Sequence, residues 1–206
     1  MAATPQSDAP QRVSISRYVL FAAIAVVGAG LDLWTKHWAF EFLGFPRQGK
    51  YWIVENVFSL DWTLNRGALF GSLQGWVPLF VVLSLAAAIG IFYWLFVAKA
   101  ARDLLLTVAL AGVMAGIIGN LYDRVGLPGL TWPYPTATTE VGEPVYAVRD
   151  WIHVQYYESF DWPLFNLADS FLVVSAFLLV WHSFRGDLPR KQAAEAATSA
   201  PANAAR

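Results

Sequence analysis

Two aspartates near the last apolar segment of the chain have the type and spacing to do chemistry. Asp169 lies just inside that segment, and Asp150 lies nineteen residues upstream of it. An acid at membrane depth costs roughly 2.5 to 3.5 kcal/mol on insertion scales, so it is a candidate for function. Two carboxyls within hydrogen-bond reach share one proton, and one can then activate a water while the other polarises a carbonyl. The pair therefore predicts peptide hydrolysis that needs neither a metal nor a cofactor.

Polar side chains from other apolar segments are candidates to frame this pair. Asp32 and Lys36 are one helical turn apart, which suits either a helix-end ion pair or support for a polar cavity. Asn120 and Asp123 share one helix face, and Arg124 is the predicted ion-pair partner of Asp123. We therefore interpret Asp123 as a structural carboxylate and not as a catalytic one.

Each catalytic candidate also has a structural interpretation. Asp150, with Arg149 beside it, fits a solvated loop acid, and Asp169 fits a polar contact between helices. Asn166 lies three residues before Asp169 on the same helix face and can donate a hydrogen bond to its carboxylate. Because apolar chain precedes and follows Asp169, the functional interpretation is the stronger one there.

The composition sets the class of protein. Of 206 residues, 57% are hydrophobic and 14% are charged, against about 25% charged in soluble domains, which predicts a membrane protein. The net charge of −1 gives no case for nucleic-acid binding. The chain has no cysteine, which excludes a thiol nucleophile and a disulfide framework, and its three scattered histidines show no metal-ligand spacing.

Four windows are apolar enough to cross about 30 Å of hydrocarbon as helices, and they are residues 18–34, 76–97, 104–121 and 164–184. Lys and Arg in the short loops predict that both termini are cytoplasmic and that the longer, acidic connections face outward. A cleaved signal peptide is the alternative for the first window. Residues 1–16 and 186–206 lack periodicity and are predicted to be disordered tails around one membrane domain, residues 17–185.

The two outer connections differ in character. Residues 41–75 contain an apolar–polar alternation at 58–64, which predicts a half-buried strand paired with 51–54 in a small outer sheet. Residues 125–160 form an enlarged loop that begins with a stretch rich in Pro, Gly and Thr. The tryptophans and tyrosines of this loop suit the lipid headgroup level.

Five short motifs carry a resemblance to a known family. They are Asp32-Leu33-Trp34-Thr35-Lys36, Asn65-Arg66-Gly67-Ala68-Leu69-Phe70, Gly119-Asn120-Leu121-Tyr122-Asp123-Arg124, Val148-Arg149-Asp150-Trp151 and Phe165-Asn166-Leu167-Ala168-Asp169. In this order, on four predicted spans, they resemble the lipoprotein signal peptidases (signal peptidase II), which are aspartic proteases of the bacterial inner membrane. The resemblance covers residues 18–184.

The resemblance implies a fold, a reaction and a set of site residues. The fold would have four transmembrane helices, a small periplasmic β-cradle and a short periplasmic helix before the last span. The enzyme would remove the signal peptide from diacylglyceryl-modified prolipoproteins just before the lipidated cysteine, among membrane lipids, and globomycin-type compounds would inhibit it. The catalytic residues would be Asp150 and Asp169, and the supporting residues would be Asp32, Lys36, Asn65, Gly67, Asn120, Asp123, Arg124, Asn166 and Ala168.

The chain departs from the family pattern in two places. Residues 125–147 lengthen a link that is usually short, and this enlarges the outer loop. Arg149 stands where an apolar residue is usual, and Trp151 stands in place of the usual Phe. Because a cation beside Asp150 would favour its ionised form, this position hints that Asp150 is the general base.

A proton-coupled transporter is the rival interpretation, because buried acids also form proton relays. Such folds often carry paired repeats or broken helices, whereas this sequence shows no repeat. Its acids also cluster at one face instead of crossing the membrane. A membrane scaffold without activity would leave that one-sided polar cluster unexplained.

Overall fold

Four long helices form the membrane-spanning part of the molecule. The structure, a computed structural model, describes residues 12–45, 49–67, 75–157 and 159–199, with side chains described as far as residue 185. The helices are α1 (Ile15–Phe42), α2 (Val77–Phe92), α3 (Leu104–Arg124) and α4 (Leu167–Ser199). Each lies in a stretch long and apolar enough to cross a membrane, and for α2 that stretch continues through a π-helical turn, Tyr93–Val97. This confirms the four predicted spans.

Helix α3 is the centre of the bundle, and α1 and α4 both pack against it. Asp103 caps the first turn of α3, because its carboxylate accepts a hydrogen bond of 2.9 Å from the backbone N–H of Leu106. Small residues allow the close approach of α4: a Cβ at Gly116 would lie 2.7 Å from the carbonyl oxygen of Ala168. Gly112, Gly116 and Gly119 recur on α3 at intervals of four and three residues, which is typical of helices that pack tightly in membranes.

Helix α1 presents one buried stripe to α3. Phe21, Ala25, Ala29, Asp32 and Lys36 are all buried, at the three- and four-residue spacing of a single helix face. The stripe ends in two charged side chains, so α1 supplies part of a polar interior as well as apolar contact. This favours a membrane span over the cleaved signal peptide as the interpretation of the first window.

A four-stranded antiparallel sheet covers the end of the bundle at which α1 and α3 finish and α4 begins. Its strands lie in the order β1 (Tyr51–Val54), β2 (Phe58–Asn65), β3 (Val148–Tyr156) and β4 (Phe160–Phe165). The predicted pairing of 51–54 with the strand after it is confirmed. Strands β3 and β4 come from the second outer connection, and the sequence analysis did not predict them.

The segment before the last span is a strand and not the expected short helix. Strand β4 ends at Phe165 and α4 begins at Leu167, so only Asn166 separates them. The β-branched and aromatic content of residues 148–156 favours a strand, and Pro163 is tolerated because β4 is an edge strand. Helix is absent from the described residues of both outer connections, although residues 68–74 lie outside them.

An apolar cluster fixes the sheet to the bundle. Ala39, Phe40 and Leu43 at the end of α1 pack with Leu60 of β2 and with Trp151 of β3, all of them buried. Because these residues come from elements far apart in the chain, hydrophobic contact holds β2 and β3 against the end of α1.

The carboxyl-terminal segment departs from the predicted disordered tail. Helix α4 continues through residues 186–199, where alanine is frequent and favours helix. Residues 1–11 and 200–206 lie outside the described residues.

Candidate active site

Strand β3 and helix α4 bring Asp150 and Asp169 to one cavity. Asp150 lies on β3 opposite Thr63 of β2 and is 1% exposed, while Asp169 lies in the first turn of α4. Both carboxyls line a cavity of about 440 Å³. The structure therefore brings together the two acids that the sequence selects for chemistry.

Asn166 connects the two aspartates directly. Its side-chain Nδ2 donates to Oδ1 of Asp150 at 2.6 Å, and its backbone N–H donates to Oδ2 of Asp169 at 3.2 Å. Its Oδ1 accepts a hydrogen bond of 3.0 Å from the backbone N–H of Asp169, so the side chain also caps the start of α4. The predicted bond to the Asp169 carboxylate comes from the main chain, and the side chain of Asn166 serves Asp150 instead.

Asn120 links Asp169 to a buried cation. Its Nδ2 donates to Oδ1 of Asp169 at 2.8 Å. Its Oδ1 accepts from Lys36 Nζ at 3.0 Å and from Asn166 Nδ2 at 3.1 Å. Because both groups on its oxygen are donors, the amide is oriented with its own NH₂ toward Asp169.

Beneath these amides lies a buried ionic network. Lys36 Nζ lies 2.8 Å from Asp32 and 3.2 Å from Asp123, and all three side chains are fully buried. Asp123 also accepts two bonds from the Arg149 guanidinium, at 2.8 and 3.0 Å, and one from its backbone N–H at 3.0 Å. Buried charges are tolerated in this way only when each is paired and hydrogen-bonded.

Two predicted charge pairings are wrong. The partners of Asp123 are Lys36 and Arg149, and not Arg124. Arg149 in turn is directed to Asp123 and not toward Asp150, because neighbouring residues of a strand point to opposite faces of the sheet. The hint that Arg149 makes Asp150 the general base therefore loses its physical ground.

The end of β2 supplies further contacts to the site. Asn65 Nδ2 donates to Oδ2 of Asp150 at 3.1 Å, and its Oδ1 accepts from the backbone N–H of Gly67 at 2.9 Å. Arg124 Nη2 donates to the carbonyl oxygen of Gly67 at 3.2 Å, and its guanidinium lies 5.2 Å from the centre of the Phe80 ring. Arg124 thus ties the end of α3 to the end of β2.

Ala168 lies against Asp32 where α1, α3 and α4 pack closely together. Its backbone N–H donates to Oδ1 of Asp32 at 2.9 Å, and the residue is fully buried. Opposite, a Cβ on Gly119 would collide with Oδ2 of Asp32. A small residue at 168 therefore lets a buried carboxylate reach the first turn of α4, where the helix dipole stabilises it.

Burial and the charge of Asp169 together raise the pKa of Asp150 to about 7, against the lowering effect of hydrogen bonds from Asn65 and Asn166. A carboxyl with this pKa is about half protonated at pH 7, so the pair can hold one proton near neutral pH. Among the described residues, no group of three His, Asp or Glu side chains could hold a metal ion. The arrangement suits acid–base chemistry on a bound carbonyl.

The apolar walls of the cavity escaped the sequence analysis. They come from α2, β4 and α4 and include Phe80, Trp162, Leu172, Val173 and Ala176. Each of these positions also suits a lipid-facing residue, so no local pattern marks them as lining. The motif residues 68–70 lie outside the described residues.

The four-helix membrane bundle and its polar cavity place the chain in the class of multi-pass membrane enzymes. The family model for signal peptidase (SPase) II matches residues 24–185. The chain belongs to the signal peptidase II family and is an aspartic endopeptidase. Membership and the four apolar helices fit the bacterial inner membrane, and they decide against the transporter interpretation.

Similar proteins agree with this assignment. A lipoprotein signal peptidase of Rhodopirellula baltica is 42% identical over 189 residues, which cover 89% of this chain and 80% of that protein. One of Clostridium novyi is 31% identical over 76% of this chain and 91% of its own length. Two bacterial membrane enzymes solved by the in meso method have TM-scores of 0.65 and 0.59, at 22% and 24% identity, and support the fold. They cover 87% and 84% of this chain, and 93% and 94% of the solved chains.

Proposed function

We propose that this chain removes the signal peptide from diacylglyceryl-modified prolipoproteins, with Asp150 and Asp169 as the catalytic dyad and water as the nucleophile. The observation that supports this most is the shared cavity in which Asn166 hydrogen-bonds to both carboxyls. Because the pKa of Asp150 is raised to about 7, this carboxyl can carry the proton that a general acid needs near neutral pH.

The proposed mechanism assigns the proton to Asp150 and the base role to Asp169. Asp169 takes a proton from water, and the resulting hydroxide attacks the scissile carbonyl carbon while Asp150 donates its hydrogen bond to the carbonyl oxygen. The tetrahedral intermediate then collapses as the C–N bond breaks, and the departing nitrogen takes a proton from the dyad. One water is consumed and the dyad returns to one proton, as paired carboxyls allow.

The supporting residues position the carboxyls of Asp150 and Asp169 for their two different roles. The Asn120 amide, oriented by Lys36, donates to Asp169 and fixes the position of its carboxyl. Asp32 and Asp123 neutralise Lys36, and Arg149 neutralises Asp123 further. Asn65 with Gly67, and Ala168 at the start of α4, position the elements that carry the dyad.

Substrate reaches the dyad from the lipid side. The cavity is walled by apolar residues of α2 and α4, and a lipid-modified cysteine brings apolar chains to the same depth. Hydrophobic contact with those chains would favour the modified precursor over the unmodified one. We place the cavity at the periplasmic face and both termini in the cytoplasm, following the charges of the short loops. Globomycin-type compounds would inhibit by occupying this cavity.

Purified protein in nanodiscs should cleave a prolipoprotein peptide that carries a diacylglyceryl cysteine, and mass spectrometry should place the cut just before that residue. The same peptide without the lipid is the matched control and should be cut far more slowly. Equal cleavage of both peptides, or a cut elsewhere, would contradict the proposed substrate class.

A further inference from the structure

The enlarged outer loop has a defined fold of its own. The chain returns on itself so that Thr131 pairs with Pro144. Trp132 donates its backbone N–H to Glu143 at 2.9 Å, and Val145 donates to Leu130 at 2.9 Å. The loop therefore forms a hairpin-like turn beside the ends of α2 and α3. The proposed reaction gives this turn no role.

The loop borders a second cavity, which we call the loop cavity. It has a volume of about 870 Å³ and lies between the loop, the end of β2, the start of α2 and the end of α3. One side is apolar and consists of Pro78, Val81 and Val82 of α2. The other side is polar and carries Thr138 and Thr139 of the loop.

Two guanidinium groups line the loop cavity against one acid, Glu143. Arg66 Nη1 donates to Thr138 Oγ1 at 2.6 Å, and its guanidinium lies 6.0 Å from the centre of the Trp132 ring. Among the described residues, no carboxylate lies within ion-pair distance of Arg66. Arg124 is the second cation, and its Nε is buried without a hydrogen-bond partner in the described part of the chain.

This pattern of charge favours an anion. An arginine that keeps free N–H donors offers a planar fork that matches phosphate. The threonine hydroxyl that holds Arg66 sets the direction of the fork without neutralising it. Among the residues that line the loop cavity, the two arginines and Glu143 leave about one positive charge, which suits a phosphodiester.

The apolar side continues into the bilayer. Val82, Leu83 and Leu85 of α2 are all about half exposed or more, on a helix that is apolar enough to cross the membrane. Tyr134 and Tyr146 of the loop are also exposed and suit the level of the headgroups. A ligand of the loop cavity thus meets cationic groups at one end and lipid-like surface at the other.

We propose that the loop cavity binds one glycerophospholipid, with its phosphate at Arg66 and an acyl chain along the apolar side of α2. The site is separate from the cavity of Asp150 and Asp169, although Arg124 lines both. It goes beyond the cleavage reaction, and Arg66 and Thr138, on which it rests, have no part in that reaction.

Native mass spectrometry of the full chain, titrated with phosphatidylglycerol in detergent, tests this directly. Wild type should retain one phosphatidylglycerol, and Arg66→Gln should weaken that retention by about tenfold, as loss of a charged hydrogen bond implies. Thr138→Val removes only the hydroxyl that directs Arg66, and it should weaken retention roughly fivefold. Lys50→Gln is the matched control, because Lys50 is a cation on the opposite part of the sheet, beside His153.

Two further arms identify the ligand. Diacylglycerol, which has the same chains without phosphate, should bind far more weakly than phosphatidylglycerol, and millimolar inorganic phosphate should not displace the lipid. Equal binding of diacylglycerol, displacement by phosphate, or full retention by Arg66→Gln and Thr138→Val would overturn the proposal. So would a raised KM for the lipidated precursor in Arg66→Gln with lipid retention unchanged, because the cavity would then belong to the substrate.

Discussion

Asp150 occupies a position where its proton is hard to remove. The side chain is almost fully buried on β3, and the Asp169 charge adds to the effect of burial, so that the pKa of Asp150 rises to about 7. Asn65 and Asn166 work in the opposite direction by donating to the carboxylate. Whether Asp150 carries the proton of the proposed dyad therefore depends on a balance between burial, the Asp169 charge and single hydrogen bonds.

This balance predicts the pH dependence of cleavage. A dyad that needs one proton loses activity as the pH rises through the pKa of Asp150, near 7, and the rate should then fall about tenfold per pH unit. Asn65→Ala removes a bond that lowers this pKa, so the alkaline limb of the kcat/KM profile should move to higher pH. Thr63→Val, on β2 opposite Asp150, should leave the limb in place. An unchanged limb in Asn65→Ala would contradict the assignment of the proton to Asp150.

Lys36 is the cation on which the buried network depends. Lys36→Met leaves Asp32 without its ion pair and Asp123 with Arg149 alone, and breaking a buried pair in this way costs roughly 3 to 5 kcal/mol. We expect a large fall in the unfolding midpoint in detergent. His37→Gln changes the exposed neighbour and should leave the midpoint unchanged. Equal stability of the two variants would show that the network contributes little.

At the scale of elements, the contact between α3 and α4 sets the position of Asp169. Gly116→Ala would place a methyl 2.6 Å from Leu172 and 2.7 Å from the Ala168 carbonyl oxygen, and overpacking of this kind costs about 1 to 3 kcal/mol. Thermal unfolding should show this loss, and cleavage should fall as α4 shifts. Gly90→Ala on α2 meets nothing within 4 Å and should be neutral or slightly stabilising. The packing account fails if both alanines behave alike.

The elements divide into those that local pattern predicts and those that it does not. The four spans follow from runs of apolar residues, and β2 follows from its alternation at 58–64. Strand β3 pairs with β2 across more than eighty residues of sequence, and no local signal announces a partner at that distance. If β3 is not recognised, residues 148–150 are interpreted as a loop. In a loop the side chains of Arg149 and Asp150 can lie side by side, whereas in a strand they point to opposite faces.

The site shows the same division. The types of residue around the dyad were predicted, because Asn120, Asn166 and Asp123 are costly in a membrane unless they serve a purpose. The hydrogen-bond partners of these residues were not predicted. Whether Asp123 pairs with Arg124 or with Arg149 depends on the direction in which each side chain points from its helix or strand. That geometry exists only once helix and strand are packed together.

At the scale of the whole molecule, the cavity, the sheet and the enlarged loop lie at one end of the bundle, and the short turn between α2 and α3 lies at the other. The chain has no cysteine, so single introduced cysteines report the topology directly. Val141→Cys on the exposed loop should react with an impermeant maleimide in intact spheroplasts. Ala98→Cys, between α2 and α3, should react only after permeabilisation. The reverse labelling would invert the proposed orientation.

The most direct test of the dyad compares three Asp→Asn variants for processing of a lipidated precursor in membranes. Asp150→Asn and Asp169→Asn should each lower the rate by roughly 100- to 10,000-fold, the usual worth of an acid or base in the transition state. Asp161→Asn, an exposed acid of the same sheet that contacts His153, should process at the wild-type rate. Near-normal cleavage by a folded Asp150→Asn or Asp169→Asn protein would contradict the dyad.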